Sequence, residues 1–287
     1  MQTIIKISKT LFCVAIFALL LGNASANEAK SKILKQGFYK SVGLGTGYYY
    51  YGEVDRYDAF FMRMDNLALN IAGNIGYITQ NGFKFDMYLD ANFAIGIYTG
   101  SLLDTVEEEK DGKPIMQINV STYYHAQTLL GYNPLAYLTR RASLYLQAGV
   151  GYYFNRNDFS SYERLQGNAY IPIEVESEIV LNDSWALNFM GGFRYFIIGN
   201  HLTRLSRVHY SNDLHLTQKD GLGASGFIGA RYIAKRGGIN SFGLRYEYWH
   251  LKASTRANST NYKGVNGPFV EPKNTSHIIT FQYGWEF

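Results

Sequence analysis

The chain has one cysteine in 287 residues, Cys13, and it lies inside an apolar N-terminal run. Everything after it is therefore without disulfides, thiolate nucleophiles or cysteine-bound metal. Proline is scarce, at 5 residues, and charged residues make up 17%, against about 25% in ordinary soluble domains. After Ala26 there is no apolar run approaching the ~18 residues that would make a transmembrane helix. Charge of one sign is also missing. The net +4 falls to +2 (25 basic against 23 acidic residues) once Lys6 and Lys9 leave with the N-terminal leader, so no nucleic-acid partner is expected.

The leader has three recognisable parts. Lys6 and Lys9 form a positive start, Leu11 to Leu21 an apolar stretch, and Ala24-Ser25-Ala26 a small-x-small cleavage site. Residues 1–26 therefore read as a signal peptide, with the mature chain starting at Asn27. Cys13 is followed by further apolar sequence and does not read as a lipid-attachment site. The polar stretch 27–36 is expected to be a short, mobile periplasmic lead-in. Residues 37–287 are expected to form one domain.

Aromatics are abundant: 25 Tyr and 18 Phe bring them to 16%. They fall in ten stretches of period-2 alternation: Phe38–Tyr51, Leu67–Thr79, Phe83–Tyr98, Met116–Tyr132, Ser143–Phe154, Ile171–Leu181, Trp185–Ile198, Leu222–Ala234, Ser241–Lys252 and Ser276–Phe287. In the last, Ile279, Phe281, Tyr283, Trp285 and Phe287 share one face, while Thr280, Gln282, Gly284 and Glu286 share the other. A soluble barrel would alternate in the same way with its apolar face inward, so periodicity alone leaves the two arrangements open. Other polar faces carry charges: Lys84, Asp86 and Asp90, beside Asn92, on the third stretch, and Glu174, Glu176 and Glu178 on the sixth. An exported chain without a membrane helix can still cross a bilayer as a closed barrel, because every backbone group is then paired. The fold expected is all-β, a transmembrane antiparallel up-and-down barrel of ten strands.

The connections alternate in length. Residues 52–65, 99–115, 155–169, 199–220 and 253–275 are long and polar, whereas those near 80–82, 182–184 and 237–240 are tight and 133–142 is intermediate. Long external loops and short periplasmic turns have this pattern, which puts both termini in the periplasm. At Gln80-Asn81-Gly82 a two-residue loop would turn Asn70, Asn74 and Gly76 toward lipid. A three-residue loop with Gly82 in the left-handed conformation keeps Leu69, Ile71, Ile75 and Tyr77 outside. Four of the five prolines fall in connections, and Pro172 is expected at the start of the sixth strand. Tyr48 to Tyr51, Tyr152 and Tyr153 approach the external loops, where interfacial aromatic girdles belong.

The terminal Phe287, with Tyr283 and Trp285, resembles the C-terminal signal of Gram-negative outer-membrane barrels. The glycine usual two residues ahead of Gly284 is missing. The resemblance implies outer-membrane insertion, contact with lipid and lipopolysaccharide, and recognition of the last strand by the barrel-assembly machinery. Strand number, together with Asp213-Leu214-His215 in the fourth external loop, also resembles the omptin proteases, which use an Asp-x-His couple opposite two aspartates. The second loop offers Asp104 and Glu107-Glu108-Glu109 in place of an Asp-x-Asp.

Of the six histidines, His125, His201, His209, His215, His250 and His277, only His201, His209 and His215 fall in one loop. Three histidines on a mobile loop lack the fixed geometry of a metal site, and no serine motif supports a triad. No catalytic, cofactor or metal residue is assigned. Glu174, Glu176, Glu178, Arg194, Arg231, Arg245 and Glu247 are expected to point into the lumen, with Glu178 facing Asn188 and Glu174 diagonal to Arg194. In a narrow barrel they should form an ion-paired plug. The function expected is a non-enzymatic structural, surface-binding or adhesive role through the external loops. An omptin-like protease and a narrow pore are the alternatives, and the ligand is unknown.

Overall fold

The computed structural model describes residues 33–101, 112–158, 163–234 and 238–286. The signal peptide, the run at 107–109 with Asp104, and Phe287 lie outside the described residues. Ten long strands close into one antiparallel barrel: β1 (Gly37–Val54), β2 (Phe60–Ile78), β3 (Phe83–Ser101), β4 (Pro114–Tyr132), β5 (Ala142–Asp158), β6 (Glu163–Asn182), β7 (Trp185–Thr203), β9 (Gly221–Ile233), β10 (Ile239–Leu251) and β13 (Lys273–Glu286). The barrel closes through β1 pairing with β13, and the ring is completed by β6–β7 and β7–β9. A short strand, β8 (Leu214–Gln218), pairs with the end of β7, and β11 (Arg256–Thr260) with β12 (Asn266–Val270) forms a separate hairpin.

The outer face is apolar and the inner face polar, which settles the choice that periodicity left open. Leu67, Met116, Leu130 and Val150 are 72, 71, 68 and 66% exposed, while Asn66, Asn70, Lys84, Asn92, Arg194 and Arg231 are buried. Exposed and half-buried aromatic rings lie on the outer wall at two levels. Phe83–Tyr132, Trp185–Tyr232 and Tyr283–Trp285 pair at 5.0 to 5.2 Å near the end that carries the termini. Nearer the other, loop end, Tyr246 bonds His277 at 2.7 Å and Tyr48 donates to Asp65. Such girdles mark the borders of a lipid-facing band. Only alternate tyrosines join them: Tyr48 and Tyr152 face outward, whereas Tyr49, Tyr51 and Tyr153 are buried in the lumen, as the pleat requires.

The turn at 80–82 is as expected. Thr79 and Phe83 exchange backbone and hydroxyl hydrogen bonds around it, and Gly82 has φ +91°. Leu69, Ile71, Ile75 and Tyr77 are accordingly exposed. The strands are longer than the alternation indicates. β2 starts at Phe60 rather than Leu67, β6 at Glu163 rather than Ile171, and β7 runs on to Thr203. Above the lipid-facing band the outer face no longer has to be apolar, so the hydrophobic period fades at Arg63 and Asp65 while the ladder continues. For the same reason Pro172 is central in β6 rather than at its start. It is tolerated because the β5–β6 pairing skips Ile171 and Pro172. The lead-in is not loose where it is described. Ile33 and Leu34 are buried, and Arg231 donates to the Ile33 carbonyl at 2.6 Å.

Candidate functional site

The lumen is filled by charged and aromatic side chains in successive layers. At the end with the termini, Arg231 (β9) binds Glu178 (β6) at 3.1 Å and also Glu286 (β13). Close by, Lys84 (β3) binds Glu176 at 2.5 Å and Asp86 at 3.4 Å, with Tyr39 and Asn74 donating to Asp86 at 3.0 and 2.6 Å.

In the middle, Arg194 (β7) donates to Glu247 (β10) at 2.7 Å, and Arg245 lies 3.4 Å from the other Glu247 oxygen. Arg194 sits over the rings of Tyr170 and Trp249, at 5.4 and 5.2 Å, and Arg245 over Tyr88 at 4.4 Å. Gln127 donates to Glu174 at 2.9 Å. His125 (β4) contacts Tyr170 through Nε2 and places Nδ1 3.4 Å from Asp90 (β3) and 3.9 Å from Glu247. Above this layer Tyr49, Tyr123, Tyr153 and Trp249 pack at ring separations of 5.0 to 6.1 Å.

A third ionic layer lies near the loop end. Arg164 (β6) binds both Glu53 (β1) and Glu271, and His201 Nδ1 (β7) is 2.9 Å from Glu271. Tyr51 donates to Glu53 at 2.8 Å and to Glu271 at 3.0 Å. All four ionisable groups are buried although they lie above the lipid-facing band. Burial pushes the Glu53 carboxyl up to about 7, more than Arg164 pulls it down. For Glu271 burial acts in the same sense, but Arg164 and His201 together hold it below the usual carboxylate range. His201 is pushed down, chiefly by burial. A lid of Leu205, Val208, Leu214 and Leu216 packs above, with Tyr210 edge-on to Phe269 at 5.3 Å.

The lumenal charges singled out from sequence do meet, but partly in other pairs. Glu178 faces Asn188 in register and Glu174 lies diagonal to Arg194, as expected. Yet Arg194 takes Glu247, and Glu176 takes Lys84. The three grouped histidines separate: His201 is buried in the lumen, while His209 and His215 are exposed. Asp213 accepts from the Ser206 amide and hydroxyl at 3.0 and 2.6 Å. Slight burial opposes these bonds, which hold its carboxyl below the ordinary range. The Glu53–Arg164–Glu271–His201 layer escaped the sequence reading, because each member fell in a segment taken for a separate loop.

No protein-family model matches the chain, and no curated protein matches it in sequence. Solved structures do. The outer membrane protease OmpT from Escherichia coli superposes with a TM-score of 0.57 at 11% identity, over 92% of this chain and 100% of that one. OprG from Pseudomonas aeruginosa gives 0.39 at 10% identity, over 88% and 97%. Ail of Yersinia pestis gives 0.32 at 9%, over 88% and 100%. The closed ring of ten antiparallel strands, the apolar exterior between aromatic girdles and the likeness to OmpT together identify the chain as having the fold of the outer-membrane β-barrel proteins.

Proposed function

We propose that the protein is a non-conducting barrel of the Gram-negative outer membrane that acts through a binding surface at its loop end. The observation that carries this reading is the lumen. From Arg231 through Arg194 to Arg164, each buried guanidinium is held by carboxylates from other strands. An unpaired charge in a lumen so crowded with side chains is costly, and paired layers at both ends and in the middle of the barrel oppose steady ion flow.

In this reading the loop end faces outward and both termini face the periplasm. The signal peptide directs export, the final strand engages the assembly machinery, and lipid and lipopolysaccharide cover the apolar band. The lid and the β11–β12 hairpin then make a rigid platform for a partner outside the cell. The purified protein in planar bilayers should give no steady conductance, and large, stable, salt-dependent steps would overturn the plug. The Asp213–His215 pair and the OmpT-like fold motivate a second reading, a surface protease. Cleavage of peptides that is abolished by Asp213→Ala and by His215→Ala would replace the binding role with that one, because water activation by such a couple needs both members.

A further inference from the structure

We propose that Asp90, His125 and Glu247 form a binding site for one divalent first-row metal ion, of the zinc class, at the centre of the barrel. One ligand atom from each of the three residues lies within 4.8 Å of the others, and all three residues are buried. Metal–ligand bonds of about 2.0–2.2 Å place two donors on one ion roughly 3.0–3.6 Å apart. His125 Nδ1 stands 3.4 Å from Asp90 Oδ2 and 3.9 Å from Glu247 Oε1, so little movement brings the three onto one ion.

The remaining atom of each ligand is already held. Asn92 donates to Asp90 Oδ1 at 2.6 Å, Arg194 donates to Glu247 Oε2 at 2.7 Å, and Tyr170 contacts His125 Nε2. Partners of this kind fix ring orientation and ligand direction in metal sites. They leave Asp90 Oδ2 and His125 Nδ1 open, while Glu247 Oε1 has a long contact of 3.4 Å from Arg245, which a bound ion would replace.

His125 Nδ1 supplies the independent observation. The residue is 3% exposed, and Nδ1 makes no hydrogen bond although two carboxylates stand beside it. Nδ1 is thus a buried nitrogen set between two carboxylate oxygens with no hydrogen bond of its own. One His nitrogen with two carboxylate oxygens suits zinc, manganese or cobalt rather than a thiolate-seeking ion. The three residues come from β3, β4 and β10, so a bound ion ties together distant parts of the wall.

The test refolds the full mature chain from denaturant into detergent with Zn²⁺ or Co²⁺ present and then removes loose metal. Mass spectrometry of the metal should find one ion per chain. X-ray absorption at the zinc edge should show one imidazole nitrogen with oxygen neighbours, a reading that needs no variant. His125→Gln and Asp90→Asn should each lower retention at least tenfold, while Asp213→Asn at the loop end retains the ion. Wild-type protein that holds less than about a fifth of an ion per chain would overturn the site and leave a proton on His125 in its place. So would a zinc spectrum with two or more imidazoles, or full retention by folded His125→Gln.

Discussion

Replacing Arg194 by methionine should destabilise the barrel by about 3–5 kcal/mol, the usual cost of removing one partner from a buried ion pair. The guanidinium is fully buried and donates to Glu247 at 2.7 Å. Glu247 is 5% exposed, and the protein groups left to it are Arg245 at 3.4 Å and His125 at 3.9 Å. Loss of the stacking over Tyr170 and Trp249, worth about 1–2 kcal/mol when desolvated, is partly offset by sulfur–aromatic contacts of about 0.3–1.5 kcal/mol. The electrostatic part therefore dominates. Glu247→Gln alone should cost a similar amount, because it strands Arg194. The double variant should cost much less than the two singles together, with a coupling of about 2–3 kcal/mol, at the upper end for residues sharing one network. Urea unfolding in detergent micelles would measure this, with Trp249 fluorescence reporting on the layer itself. A cost below about 1 kcal/mol for Arg194→Met, or simple additivity, would refute the reasoning, since it would mean that water screens Glu247 and the lumen is wet.

Glu53 gives a pH dependence of defined sign. Its folded pKa is raised, so the folded chain keeps a proton that the unfolded chain has lost. Its contribution to stability is therefore full below about pH 4.5 and is lost as pH climbs toward 7. Glu53→Gln should remove that loss, and at pH 8 it should slow hydrogen exchange at the loop end; faster exchange than wild type would contradict it. Glu271, held low, acts oppositely and loses its contribution below about pH 4.5. Gly82→Ala should destabilise by about 1–3 kcal/mol, the scale of left-handed strain in a residue with a side chain. A Cβ there would also stand 2.8 Å from Ala136 Cβ and 2.9 Å from the Asn133 carbonyl. An unchanged urea midpoint would count against this turn geometry.

The sequence by itself determined the barrel wherever lipid imposes a rule. Leu67, Leu69 and Ile71 must face hydrocarbon, so a one-residue slip would expose Asn66 and Asn70 in their place. That fixed strand number, the three-residue turn at Gly82 and the inward set from Glu174 to Glu247. Beyond the lipid-facing band no such rule acts. Outward Arg63 and Asp65 look like loop residues, and inward Glu53, Arg164, His201 and Glu271 look like four unrelated ones. Only closure of the ring brings them to one level, because β1 and β6 lie on opposite sides of the wall and their meeting depends on barrel diameter rather than on sequence spacing. The same holds for His125. Its alternation places it inward, but its approach to Asp90 and Glu247 depends on how β3, β4 and β10 curve around the lumen, and a period-2 pattern carries no information about distance across a barrel.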